Sequence, residues 1–448
     1  MKINIQIAIG FFSLLFYTNR VNAQSIPLSI NLETVLTLAG ANNLTIEEYR
    51  HRQALATANL TRAKEWWLPE LSAGAATHQL WGAVMNGNGR FFLDVERSNL
   101  WVGAQASLSW DFSEDIFITN AAKRRAVAMQ YFSQAERNKA LLQTIEAYYD
   151  FLAAQLSVQA WQQLTAQADS IARQVNVQAQ AGLRYESEAL LAKANLSHLR
   201  VETLNSRAEF GKKTAALIRL LNLDPGTELL SVDTLLTPLA LANGNFTAAS
   251  FESAHQLRPE LRGMELGLQA LQAEKKTTIA GLFLPELRVG AHASQFGGLL
   301  ENVEPMDPVA FPSTDVLYPT QSVNAALTWR IPLGRLTYAG ERKQYDARIV
   351  LQQTQIEQMQ AQVNGEIIGA RAQLLAAKEQ MDLAKEGSEL ADKALRQSMQ
   401  RQALGTVRPF EVLQAQEVFI KTHLDHVQAV VVHNKAQYRL WVAMGNNL

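Results

Sequence analysis

Few residues in this 448-residue chain have types and spacing that could do chemistry. His423 and His426 stand three apart, which puts two imidazoles on one face of a helix and could ligate a metal. No carboxylate or thiol cluster completes that site, and Asp425 points elsewhere on the helix. The expectation is a solvent-facing pair and no metal. The 9 methionines are scattered, without the clustering a soft-metal site needs. There is no cysteine, which excludes disulfides, thiolate metal sites, a cysteine nucleophile and a lipid anchor on an N-terminal cysteine. No phosphate-cradling glycine loop or nucleophile elbow is present, so no catalytic residue and no cofactor are expected. What remains is a pair of carboxylates in matching surroundings. Glu188 follows Gly182 by six residues, and Glu411 follows Gly405 by six.

The match belongs to a larger duplication. Leu68-Pro69-Glu70-Leu71 recurs as Leu284-Pro285-Glu286-Leu287. Each copy is preceded by an apolar-periodic helix (Leu32 to Trp67, Phe251 to Phe283). Each is followed by strand-like alternation, a long helical stretch, a glycine and a second helix. Tandem duplication of a mixed unit predicts a symmetric architecture. The boundaries read as an export signal at 1–23 and a first repeat at 24–226, with a strand pair about 71–112 and a helical hairpin about 113–222. A linker at 227–250 leads to a second repeat at 251–448, with strands about 287–332 and a hairpin about 335–445. A net charge of −1 with no basic stretch argues against nucleic acid as a partner.

Lys2, the apolar run Ile7 to Tyr17 and the small residues around Val21-Asn22-Ala23 make up the signal. That run is too short to span a bilayer, and no later apolar stretch is long enough for a transmembrane helix. An exported chain of this kind is soluble or a β-barrel. Val102, Ala104, Ala106, Leu108, Trp110 and Phe112 alternate with Gly103, Gln105, Ser107, Ser109 and Asp111. Val323, Ala325, Leu327, Trp329 and Ile331 alternate with Ser322, Asn324, Ala326, Thr328 and Arg330. This dyad suits a membrane strand with a wet lumen, and a half-buried soluble sheet has the same period. Trp66, Trp67, Trp101, Trp110 and Trp329 at strand ends favour the membrane reading through an interfacial belt. Four strands cannot close a barrel, whereas three chains would supply twelve. Gly82 to Asn99 and Gly298 to Gln321 read as long polar loops, the second carrying Glu301, Glu304, Asp307 and Asp315.

Between Ser113 and Ala181 there is neither glycine nor proline, enough for a helix on the order of 100 Å. Leu141, Ile145, Tyr148 and Leu152 repeat at coiled-coil spacing, as do Leu164, Ala168, Ile171 and Val175. Glu341 to Leu404 is the counterpart, and Leu183 to Asn222 and Thr406 to Met444 are the return helices. The fold class is therefore mainly α with membrane β: long helical hairpins in tandem plus four strands for a shared trimeric barrel.

In the order and duplication of these parts the chain resembles the TolC family of outer-membrane efflux and secretion channels, over nearly the whole mature length. The residues carrying the resemblance are the opening Leu32 to Asn43, the two Leu-Pro-Glu-Leu turns and the two glycine-centred reversals. It implies a homotrimer: a twelve-stranded barrel in the outer membrane of a Gram-negative-type cell, continuous with a periplasmic helical tunnel. It further implies a periplasmic adaptor and an inner-membrane pump of RND or ABC type. Ala181, Gly182 and Leu183, with Leu404, Gly405 and Thr406, would receive the adaptor. Glu411 would form a three-carboxylate ring at the aperture and Glu188 a latch, with Arg184, Arg401 and Arg408 as unassigned latch partners. Gln414 stands where a second acidic ring would be, so one ring is expected. Pro69, Pro285 and Pro332 would mark helix–strand junctions. The alternative class is a soluble periplasmic coiled-coil scaffold or adaptor, in which these helices would serve without a barrel.

Overall fold

The computed structural model describes residues 27–85, 87–233, 236–241, 248–298, 317–404 and 409–448. The export signal at 1–23 and the acidic residues of the second loop lie outside them, as do Gly405, Thr406 and Arg408.

The first repeat runs β1 (Leu28–Ile30), α1 (Leu32–Asn42), α2 (Leu44–Lys64), β2 (Glu70–Met85), β3 (Phe91–Asp111), α3 (Asp115–Gln180) and α4 (Glu186–Leu221). Then come β4 (Leu229–Ser231), α5 (Ala248–Leu257), α6 (Pro259–Lys275), β5 (Glu286–Gly298), β6 (Tyr318–Thr328), α7 (Leu333–Thr337), α8 (Gly340–Ala403) and α9 (Pro409–Ala443). The chain divides into two compact units. One holds residues 1–44, 140–244 and 371–439, the other 45–139, 245–370 and 440–448.

The first unit is a helical bundle. Leu141, Ile145, Tyr148 and Leu152 are buried, as their spacing predicts, and so are Leu164, Ala168, Ile171 and Val175. Leu164, Ala168 and Ala172 of α3 pack on Ala192, Leu196 and Leu199 of α4 and on Ile420 of α9. Closer to the reversals, Ile171 and Val175 meet Ala189, Leu395 and Val412. Alanine at these positions lets the helix axes approach closely, so the absence of large side chains is itself part of the packing.

Leu32 to Trp67 is two helices, not one. Asn31 and Thr34 form a reciprocal capping box that starts α1. The buried Asn43 breaks the run and donates from its side-chain amide to the Leu220 carbonyl. The stretch from Phe251 is likewise broken where Pro259 opens α6.

The segment expected as a plain linker contains β4, which pairs in parallel with β1. Gln155 of α3 holds it by donating to the Ser231 carbonyl (3.2 Å) and accepting from the Ser231 amide (2.9 Å). The Tyr148 hydroxyl adds bonds to Ser231 and Asp233. Further along, Asn434 accepts from Leu239 N–H and donates to the Thr237 carbonyl, both at 2.9 Å, while Gln437 accepts from Leu241 N–H. Side-chain amides thus replace a strand partner for this extended backbone.

Candidate functional site

In the second unit, β2, β3, β5 and β6 form one antiparallel sheet in that order. The register puts Leu71, Ala106, Ala291 and Val323 in one cross-strand row, and Leu108, Val289 and Ala325 in another. Trp110, Leu287 and Leu327 form a third row on the same face. The opposite face carries Ser72, Gln105, His292 and Ser322, then Glu70, Ser107, Gly290 and Asn324. There Glu286 accepts from Ser109 (3.1 Å) and pairs with Arg288 (2.6 Å), with Arg330 at 3.9 Å, and His292 bonds Ser322 (2.9 Å).

The alternation visible in each strand therefore becomes one apolar and one polar face. The apolar face is bare: Leu71 is 77% and Val323 78% exposed. Among the described residues β2 and β6 are open edges, so the sheet needs both an apolar medium and neighbours on either side.

Trp66, Trp67, Trp110 and Trp329 gather at the end of the sheet where β2 and β5 begin. The Trp110 indole donates to the Trp67 carbonyl (3.0 Å), and Trp66 meets Phe112 edge-on at 5.9 Å. Trp101 departs from the expected belt. It stands in the middle of β3, and its odd number puts it on the polar face. Two further boundaries differ. Gly82 to Asn99 is mostly strand, because β2 pairs through to Met85 opposite Phe91, across a bulge at Gly82/Val84. β6 ends at Thr328, leaving Trp329 and Ile331 beyond it. Pro69 and Pro285 immediately precede β2 and β5, and Pro332 is the residue capping α7.

At the first reversal, Gly182 has φ +73°. Its N–H bonds the Ala179 carbonyl, and Leu183 N–H bonds that of Gln178, a Schellman ending that needs the left-handed residue at Gly182. Ala181, Gly182 and Leu183 are all exposed, as is Leu404 where α8 ends. Gly182→Ala should strain this turn by about 1–2 kcal/mol. Amide exchange at 181–183 should quicken several-fold while Ile171 stays protected; unchanged exchange at the turn would contradict the strain.

Glu188, in the first turn of α4, is bound by Arg184 of its own hairpin (3.3 Å), which also donates to Gln178 (2.6 Å). Glu188 and Glu411 line one cavity of about 460 Å³ with Tyr185, Leu191 and Phe410. The sequence offset that singled out the two carboxylates thus corresponds to a shared space. Glu411 and Gln414 are both exposed, one turn apart on α9.

His423 and His426 are half-buried rather than solvent-facing. His423 stacks on Phe419 at 5.7 Å. Burial pushes both imidazoles below their ordinary range, opposed by Asp392 at His423; at His426, His423 and Lys385 act with burial and Glu389 against it. Among the described residues no group of three metal-ligating side chains occurs. A neutral buried imidazole resists a proton that the unfolded chain accepts below about pH 6.5, so stability is complete above that pH and declines as pH falls. The midpoint of thermal unfolding should drop from pH 7 to pH 5, and His423→Gln with His426→Gln should flatten the decline; an unflattened slope would assign it to other groups.

Comparisons with known proteins fit this geometry. The family model described as outer membrane efflux protein matches residues 35–223 and 251–446. No curated protein sequence matches the chain. Among solved structures, the CmeC outer membrane channel of Campylobacter jejuni superposes with a TM-score of 0.76 at 17% identity, over 92% of this chain and 85% of that one. The outer membrane protein VceC of Vibrio cholerae gives 0.70 at 15%, over 93% and 96%. The open-state MtrE outer membrane channel of Neisseria gonorrhoeae gives 0.68 at 16%, over 93% and 89%.

Proposed function

The chain belongs to the outer membrane efflux protein family, and from that premise we propose how its parts divide the work. The protein is an outer-membrane channel with a periplasmic helical tunnel, a passive exit duct of a tripartite export system. The observation that carries this reading is the sheet: one apolar face, one polar face, and two open edges that no other strand of the same chain covers among the described residues. Three copies close these edges into twelve strands with lipid outside and water inside. A soluble scaffold has no use for such a surface.

The trimer works with a periplasmic adaptor and an inner-membrane pump, of RND or ABC type. The reversals at Ala181-Gly182-Leu183 and Leu404-Gly405-Thr406 receive the adaptor. The exposure of the first turn and the rigidity of its Schellman ending support that role. The aperture is set by Glu411, repeated three times around the axis, with Glu188 held back by Arg184 in the closed state. Gln414 adds polarity without charge, leaving a single acidic ring.

The channel reading is tested by fractionation: a heat-sensitive trimer in outer membranes supports it, and a chain recovered in periplasmic extract removes it. For the ring, Glu411→Ala should raise conductance in planar bilayers or weaken cation preference. Unchanged values of both would sink that assignment.

A further inference from the structure

The face that lines the lumen in the reading above is not polar along its whole height. From the helix-connected end outward its rows are small and polar until Gly74, Gly103, Ser294 and Thr320. The next row reads Ala76, Trp101, Phe296 and Tyr318 across all four strands. Three large aromatic residues from three different strands thus share one cross-strand level, on the face opposite Leu71 and Val323. In the preceding row, Gly74 leaves open space where a side chain would stand. Phe296 and Tyr318 remain 45% and 43% exposed, so the chain's own packing does not account for them.

We propose that Trp101, Phe296 and Tyr318, repeated in three copies, form an aromatic collar in the lumen that binds aromatic organic cations on their way out. The inference rests on the channel reading. Ring faces carry negative quadrupole potential and attract flat rings and cations. On this face Glu286 pairs with Arg288 and lies 3.9 Å from Arg330, whereas Glu70 has no ion-pair partner among the described residues. Hydrated inorganic ions gain little from such a row, so the collar discriminates by ring and charge together.

The test uses the full-length trimer in planar bilayers with tetraphenylphosphonium as probe and tetraethylammonium as its ring-free counterpart. Tetraphenylphosphonium should interrupt the current in resolvable events, and tetraethylammonium should not. Trp101→Ala should shorten the events by about tenfold, the scale of one well-placed cation–π contact. Trp101→Phe should retain most of their duration. Tyr318→Thr, which repeats the residue type of Thr320 one row away, provides a second variant with little demand on folding and should also shorten them. Interruptions unaltered in both Trp101→Ala and Tyr318→Thr, or equally long with tetraethylammonium, would overturn the collar while leaving the channel intact. A trimer that conducts no current would overturn the channel reading and the collar with it.

Discussion

Arg258→Ala should lower unfolding stability by about 3 kcal/mol, the low end for breaking a buried ion pair. Arg258 is only 8% exposed, and its guanidinium reaches three elements. Nε donates to the Ala443 carbonyl at the end of α9 (2.9 Å), and the terminal nitrogens pair with Glu260 of α6 and Glu366 of α8, each at 2.5 Å. Removing it strands a helix-terminal carbonyl that has no partner further along its helix, together with a largely buried carboxylate. Glu366 is 41% exposed and can turn to water, which holds the cost near the low end. Arg258→Lys should fall between, because one ammonium cannot serve three acceptors in a fixed fork. Denaturant unfolding of the detergent-solubilised protein measures both, and a loss under about 1 kcal/mol for alanine would show that the three elements hold without this link.

Gly103→Val should abolish the heat-sensitive trimer. A Cβ at Gly103 would sit 2.6 Å from the Ala293 carbonyl oxygen and collide with Ser294, all in the β3–β5 ladder. That ladder joins the strand pair of the first repeat to that of the second. Backbone can retreat only by giving up ladder hydrogen bonds, at several kcal/mol each where lipid offers no substitute. Gly290→Ala is the control. Its Cβ would meet only the tip of the Asn324 side chain, which can rotate away. Gel mobility of unheated and heated samples decides: a trimer band that survives in Gly103→Val, or is lost equally in both, would contradict the steric argument.

Much of this architecture was legible because its causes are local. The burial of Leu141, Ile145, Tyr148 and Leu152 follows from helical spacing alone. The positive φ of Gly182 follows from a reversal that only glycine accommodates without strain. The dyad in β3 and β6 was readable because a strand's two faces alternate with period two. The features that depart from expectation have non-local causes. Trp101 borders the alternating run that predicts the strand, but β3 extends ten residues upstream of it, to Phe91. The three-residue spacing of His423 and His426 puts them on one helix face, but a helix face does not announce what packs against it. The β1–β4 pair consists of three-residue strands far apart in the chain, too short for any periodicity to register.

The duplication, the long helices and their buried stripes, the first glycine reversal and the two-faced character of the strands are all legible in the order of the residues. Each of these rests on steric and hydrophobic preferences acting within a turn or two of chain. Tertiary structure sets the strand register, which aligns Trp101, Phe296 and Tyr318 in one row and sets Gly103 against Ser294. It alone placed Glu188 and Glu411 on one cavity and Arg258 among three helices. Such pairings depend on contacts distant in sequence, where a shift of one residue in register would turn every side chain to the other face.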